Sequence, residues 1–346
     1  MLGEKALGNP VRVLVTGAGG FIGHHLVSFL RAQGYWVRGV DLKPPEFSAS
    51  DAQEFELVDL RDWQNCMRAT SAIDEVYALA ADTGGIAFID SNQAKVLRNN
   101  SLIDLQCIEA ARQNGVTRYL YASSAAVYPA YRQAETNCIA LKEDDAYPAA
   151  PQDASGWEKL LSERLCVHYR LEHGLETRIV RLHNIYGPFA SWLDGREGAP
   201  AALCRKIAAA QLEGLHEIDI WGDGEQTRSF CYIDDCIAGM HKLMRSDWHE
   251  PLNLGQDRSV SINQLVSMIA SIAGRDVNQT HILGPQGVRG RNSDNARIKE
   301  VLRWEPRISL EEGLRRTYLW IEKQVREAAL EYSFGVATFP PPRRNN

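Results

Sequence analysis

The seven cysteines, Cys66, Cys107, Cys138, Cys166, Cys204, Cys231 and Cys236, include no C-x-x-C pair. Their scatter gives neither a zinc spacing nor a disulfide framework, so no metal site is expected. No uninterrupted apolar run is long enough to cross a bilayer. The opening MLGEKALGNP lacks the apolar stretch of a signal peptide. There is no long basic run, and the formal net charge is −6. That argues against nucleic acid or a membrane as partner, although local arginines can still hold an anionic ligand. A reduced, cytoplasmic location is the resulting expectation.

What the chain does have is apolar residues: 45 % of 346, enough for one large α/β unit or two modest domains with a sizeable core. The β-branched run Val11–Val15 reads as a buried parallel strand. A glycine turn follows, then a helix with Leu26, Phe29 and Leu30 at helical spacing, then the strand YWVRGVDL. EFELVDL and IDEVYALAA read as further strands, NNSLIDLQCIEAARQNGV as a long amphipathic helix, and TRYLYASSAAVYP as a strand entering a loop. This alternation predicts a Rossmann-type α/β fold, a doubly wound parallel sheet with right-handed crossovers. Past about Arg181 the pattern changes. Residues 1–185 are expected to form the dinucleotide-binding domain. Residues 186–330 form a smaller C-terminal α/β domain partly interleaved with it, and 331–346 a Pro-rich, then polar, tail.

Gly17, Gly20 and Gly23 form G-x-x-G-x-x-G directly between a strand and a helix. The first glycine permits a tight turn, the second lets a pyrophosphate approach the backbone, and the third lets helix and strand pack closely. The helix N-terminus then offers unpaired N–H groups to the phosphates. Asp41 ends the second strand, near the offset of a ribose-binding acid; a carboxylate there favours NAD over NADP. The plain alternative is a solvated loop aspartate. Asp59, after the third strand, is a candidate for the adenine or merely a turn residue.

TGAGGFIG, YASSAAVYP and PQDASGWEKL together resemble the extended short-chain dehydrogenase/reductases of the NAD-dependent epimerase/dehydratase family. ADTGGIAFIDSN, RLHNIYGPF, GREGAPAALCRK, WGDGEQTRSF and GVRGRNSDN resemble its GDP-mannose 3,5-epimerase branch, over most of the chain. The resemblance implies oxidation of a GDP-hexose at C4 by NAD, epimerisation at C3 and C5 beside the ketone, and return of the hydride. It implies a homodimer. It also implies that Phe21, Ile22 and Lys159 join the glycines, Asp41 and Asp59 at the cofactor. Gly84, Ser124, Asn184, Glu197, Lys206, Gln226, Thr227, Arg228 and Arg291 would line the sugar nucleotide, where arginine forks suit a pyrophosphate.

The catalytic positions depart from the family pattern. Ser124 and Lys159 match the serine and lysine of its redox group, but Ser155 stands at the tyrosine position. Ala126 stands where the family has a cysteine, and Gly198 where it has a lysine. An alcohol is a far weaker acid than a phenol, and alanine and glycine have no proton to move. The expected outcome is an impaired epimerase. The alternatives are an inactive or repurposed relative that binds NAD and a nucleotide sugar, or an oxidoreductase using other groups. Glu197, His183 and Cys204 are candidate substitutes, each with a structural role as its alternative.

Overall fold

The computed structural model describes residues 10–333. The first half of the fold comprises β1 (Arg12–Thr16), α1 (Phe21–Ala32), β2 (Trp36–Asp41), β3 (Glu54–Leu57), α2 (Trp63–Thr70), β4 (Glu75–Ala78), α3 (Ile86–Ser91), α4 (Gln93–Gln113), β5 (Arg118–Ser124), α5 (Ala154–His173) and β6 (Glu176–Leu182). Then come β7 (Ile185–Tyr186), α6 (Ala199–Glu213), β8 (Glu217–Trp221), β9 (Thr227–Ser229), β10 (Cys231–Tyr232), α7 (Ile233–Arg245) and β11 (Leu252–Leu254). The last are β12 (Ser259–Ser261), α8 (Ile262–Ala273), β13 (Asn278–Ile282), β14 (Gly290–Arg291), α9 (Ala296–Leu302) and α10 (Leu310–Ser333).

The main sheet is seven-stranded, in the order β11-β6-β5-β4-β1-β2-β3, and every pairing in it is parallel. Strand alternation explains its two faces. Val13 and Val15 enter one core with Leu26, Val27 and Leu30 of α1, while Leu14 between them enters the other. Burying each of these side chains contributes about 1.5–3 kcal/mol. On β5, Leu120 faces the first core; Tyr119 and Tyr121 face the second, among residues of α2, α4 and α5. The chain reverses direction across the sheet between β1 and β4, which opens a crevice at their C-terminal ends, the usual ligand position in such sheets.

The C-terminal region does not stand apart. β11 pairs with β6, and the core that covers α1 runs on through α6, α7, α8 and α10. Ser261 caps α8 by accepting from the Gln264 N–H, with Gln264 returning a bond from its side chain. The polar segment NQTHI forms β13, because pairing with β8 rather than its own composition makes it a strand. The helix α10 continues to Ser333, past the expected start of the tail, and residues 334–346 lie outside the described residues.

Candidate active site

The glycine turn has the shape its spacing predicts. Gly17 adopts φ +70, and a Cβ at Gly23 would lie 2.1 Å from the Gly17 carbonyl oxygen, so α1 meets the turn only because position 23 is glycine. Gly20 is the N-cap of α1 and supplies no side-chain cap, which leaves first-turn N–H groups, including those of Phe21 and Ile22, unclaimed by a capping oxygen. Asp41 is at this turn: its Oδ2 accepts from the Gly19 N–H at 2.9 Å and its Oδ1 from the Lys43 N–H at 3.2 Å. A bare helix N-terminus beside a carboxylate at a strand end fits a dinucleotide, with phosphate at the first and ribose at the second. Asp59 is committed elsewhere. Both its carboxylate oxygens accept from Arg61, which holds the acid below its usual range.

A cavity of about 460 Å³ opens where β5 ends and α5 begins. Ser124, Ala126 and Ser155 line it from this side; Gly84, Glu197, Gly198 and Lys206 line it from the facing loops and α6. Asn184, Gln226, Arg228 and Arg291 complete the set. The approach of α5 to β5 has a specific cause. Asp153 caps α5 by accepting from the Gly156 N–H at 3.1 Å, and a Cβ at Gly156 would lie 2.2 Å from the Ala126 carbonyl oxygen. Ser155 and Ala126 therefore share one wall. Gly198, by contrast, has ordinary extended backbone (φ −75, ψ 162), and its nearest neighbour to an added Cβ is Pro200 Cδ at 4.0 Å. Nothing in the packing requires glycine there, and a longer side chain has open space before it.

The charged groups of the cavity are arranged for an anion. Arg228 donates to the carbonyls of Thr227 and Val288, both at 2.7 Å, and Arg291 Nε donates to Gln133 Oε1 at 2.6 Å. Neither guanidinium forms an ion pair with a carboxylate among the described residues. Burial lowers both, and for Arg228 the charge of Arg291 lowers it further. Lys206 Nζ donates to the Asp219 carbonyl at 2.6 Å and is likewise lowered, first by burial. Glu197 Oε1 accepts from Arg205 at 3.0 Å, while its Oε2 is buried with no partner, as is Gln226 Oε1. Unpartnered buried acceptors beside a cavity fit hydroxyl-rich ligands, whose O–H groups would satisfy them. Asn184 is held at φ +42 with its Nδ2 on the Ser229 carbonyl. Ser124 Oγ accepts from the Ala126 N–H at 3.1 Å, so its own proton is free to donate.

Of the residues that the resemblance assigns to the sugar nucleotide, all but Thr227 line this cavity; Lys159, assigned to the cofactor and the redox group, does not. Thr227 Oγ1 donates to the Thr136 carbonyl. Lys159 is buried, with Nζ donating to Tyr121 OH at 3.0 Å and lying 3.5 Å from Glu158. The candidate substitutes also separate. His183 is fully buried, with Nε2 2.9 Å from Asn253 Oδ1, and burial pushes it down to about 3; it stays neutral and is structural. Cys204 is fully buried and its thiol is pushed far up, so it supplies no thiolate. Glu197 alone of the three reaches the cavity. Asp153, Arg205 and Trp221 line it without having been singled out in the sequence. The Asp-x-x-Gly cap signal marks Asp153, and neighbours within quoted motifs mark the other two.

Residues 13–255 match the model of the NAD dependent epimerase/dehydratase family. The chain is 49 % identical over 319 residues to GDP-mannose 3,5-epimerase 1 of Oryza sativa subsp. indica, covering 92 % of this chain and 83 % of the relative. It is 49 % identical over 319 residues to GDP-mannose 3,5-epimerase of Arabidopsis thaliana, covering 92 % and 84 %. Among solved structures it is similar to UDP-glucose 4-epimerase from Thermotoga maritima with UDP-glucose: TM-score 0.80, 27 % identity, 91 % of this chain and 100 % of that one. It is also similar to MoeE5 in complex with UDP-glucose and NAD: TM-score 0.77, 30 % identity, 91 % and 99 %.

Proposed function

Because this chain belongs to the NAD dependent epimerase/dehydratase family, with NAD as its cofactor, we propose that it is a GDP-mannose 3,5-epimerase-like protein that binds a GDP-hexose and whose epimerisation is strongly impaired. One observation carries the reading. Ser155, Ala126 and Gly198 line the same cavity as Arg228 and Arg291, so the proton-transfer positions are emptied where the anion-binding positions are kept.

Arg228 and Arg291 would neutralise the pyrophosphate, which replaces their mutual repulsion with charge-assisted hydrogen bonds. Glu197 Oε2, Gln226 Oε1 and the Ser124 hydroxyl would hold sugar hydroxyls and fix the hexose against the β5 end. Bound NAD supplies the hydride acceptor and donor at C4. This chain must take the C4 hydroxyl proton without a phenol at position 155. It must move the C3 and C5 protons without side chains at positions 126 and 198 to carry them. Each such group typically contributes ~10²–10⁴-fold. Restoring Ser155→Tyr, Ala126→Cys and Gly198→Lys together should raise exchange of the C5 hydrogen with deuterated water by orders of magnitude. No rise in a folded, ligand-binding triple variant rejects the roles assigned to these positions.

The homodimer is part of the same proposal. Leu97 and Leu105 are exposed two turns apart on α4, and Trp157 and Leu161 one turn apart on α5, which packs beside it. These apolar faces suit a helix pair against a second copy; light scattering on the eluting protein gives its mass directly. No helix among the described residues is long and apolar enough to cross a membrane. All seven cysteines are free, Cys66 and Cys107 included at 3.7 Å, which supports the cytoplasmic placement.

A further inference from the structure

Behind Lys159, between α4, α5 and β5, lies a cluster of charged groups that the sugar chemistry does not use. Asp104 on α4 and Glu158 on α5 are buried, and both carboxyl groups meet the same phenol. Tyr121 from β5 stands between them and the lysine. Its OH accepts from Lys159 Nζ at 3.0 Å and lies 2.7 Å from Asp104 Oδ2 and 3.1 Å from Glu158 Oε1. Ser162 Oγ donates to Asp104 Oδ2 at 2.7 Å, and Asn100 Nδ2 donates to Glu158 Oε2 at 3.2 Å. A phenol has one proton and satisfies only one of the two acids. Two carboxyl groups on one phenol, out of water, cannot both ionise against a single lysine without leaving a naked charge.

The remaining ionisable groups facing this cluster do not supply the missing charge. On β5 these are Tyr119 and Tyr121, on α4 Cys107, on α5 Cys166 and on α2 Cys66. None is a cation. Glu163 on α5 is already paired with Arg181 from β6. Burial, then the charge of Glu158, push Asp104 up to about 7, against the pull of Lys159. Burial works against the Lys159 ammonium, but Glu158 and Asp104 outweigh it and hold its proton on.

We propose that Asp104 and Glu158, bridged by the Tyr121 hydroxyl, hold one proton between them behind Lys159 and release it to solvent when the oxidised, cationic form of NAD docks against that lysine. The charge count closes in both redox states. With reduced NAD, the pair carries one negative charge against one ammonium. With oxidised NAD, the nicotinamide adds a positive charge, and loss of the shared proton adds the matching negative one. No bond other than O–H is broken. Asp104 is thus a positioning residue that acts through Tyr121 and Lys159. The proposal rests on the reading that Lys159 stands at the nicotinamide ribose.

Infrared difference spectra of the protein loaded with NADH or with NAD, taken from about pH 5.5 to about pH 8.5, read the carboxylic-acid C=O stretch directly. Near neutral pH the band is expected with NADH and absent with NAD, and Asp104→Asn and Glu158→Gln each remove it. The ratio of NAD to NADH affinity should also rise with pH, by up to ~10-fold per unit near neutrality in the parent, and stay flat in Asp104→Asn. The same band in both redox states, or in neither, overturns the proposal in the parent protein alone, whether or not a variant folds. A band that survives in Asp104→Asn overturns it too. NADH affinity of Lys159→Met, from a fluorescence titration, tests the underlying placement. Affinity equal to the parent's removes Lys159 from the cofactor and the coupling with it, whatever the band does.

Discussion

Replacing Arg291 with methionine should weaken the ligand and not the fold. The side chain is half-buried, makes one side-chain bond, to Gln133, and has Arg228 as a like-charged neighbour. Its value in the folded state lies below the ordinary one, so the charged form costs stability at neutral pH, and a ligand anion removes that cost. Exchange of a fully buried charge for an apolar chain of similar volume is typically neutral to stabilising by about 1–4 kcal/mol, and a half-buried one lies toward the lower end of that range. Against this, the substitution leaves Gln133 Oε1 unsatisfied at a cost of about 1–3 kcal/mol. The two nearly cancel, so Tm of the unliganded protein should hold within a few degrees. The complex loses a hydrogen bond from a charged donor, about 1.5–3 kcal/mol, which is roughly a 10–150-fold weaker Kd. Calorimetric titration with GDP-mannose and a thermal melt read the two effects separately. Unchanged affinity, or a melt that collapses in step with affinity, would show that Arg291 serves the fold and not an anion.

Gly156→Ala should destabilise the protein by about 1–3 kcal/mol, because its Cβ would press on Ala126 O at 2.2 Å and Pro151 Cβ at 2.6 Å; a urea midpoint equal to the parent's would contradict the packing. Glu163→Gln should cost about 3–5 kcal/mol. Glu163 is buried, accepts from Arg181 Nε at 2.8 Å and Nη2 at 2.7 Å, and takes a bond from Ser123. Chemical denaturation checks this, and a loss below about 1 kcal/mol would mark the pair as no more than a surface bridge. His183 is neutral in the folded chain and charges on unfolding, so its contribution is present above about pH 6.5 and is lost as pH falls from there toward its folded value of about 3. His183→Gln should flatten that acid limb by up to ~1.4 kcal/mol per pH unit; an unaltered limb in pH-dependent melts would contradict the burial argument.

The sequence carried much of this site because the site's backbone needs are local. A strand, a turn that only glycine fits and a helix start are written within Val11–Leu30, and Asp41 closes the turn from the next strand end. Depth was not legible in the same way. His183 and Cys204 stand in motifs that reach the cavity, yet both turn into the core, since neighbours in sequence at a strand end or on a helix face opposite environments. Lys159 sits one turn from Ser155, but its amine goes to the Tyr121 hydroxyl on β5, which lies 38 positions earlier in the chain and meets α5 only through packing. β13 is a strand because β8 offers an edge, and no feature of NQTHI alone says so.

The proposed function is ligand binding kept and proton transfer lost. The direct measurement is to saturate the unmodified protein, with NAD present, with GDP-mannose in deuterated water. Calorimetry confirms occupancy, and magnetic resonance follows deuterium at C3 and C5. Occupancy is expected, with deuterium appearing orders of magnitude more slowly than in the Ser155→Tyr, Ala126→Cys, Gly198→Lys variant. Exchange by the parent at the rate of that variant would contradict it.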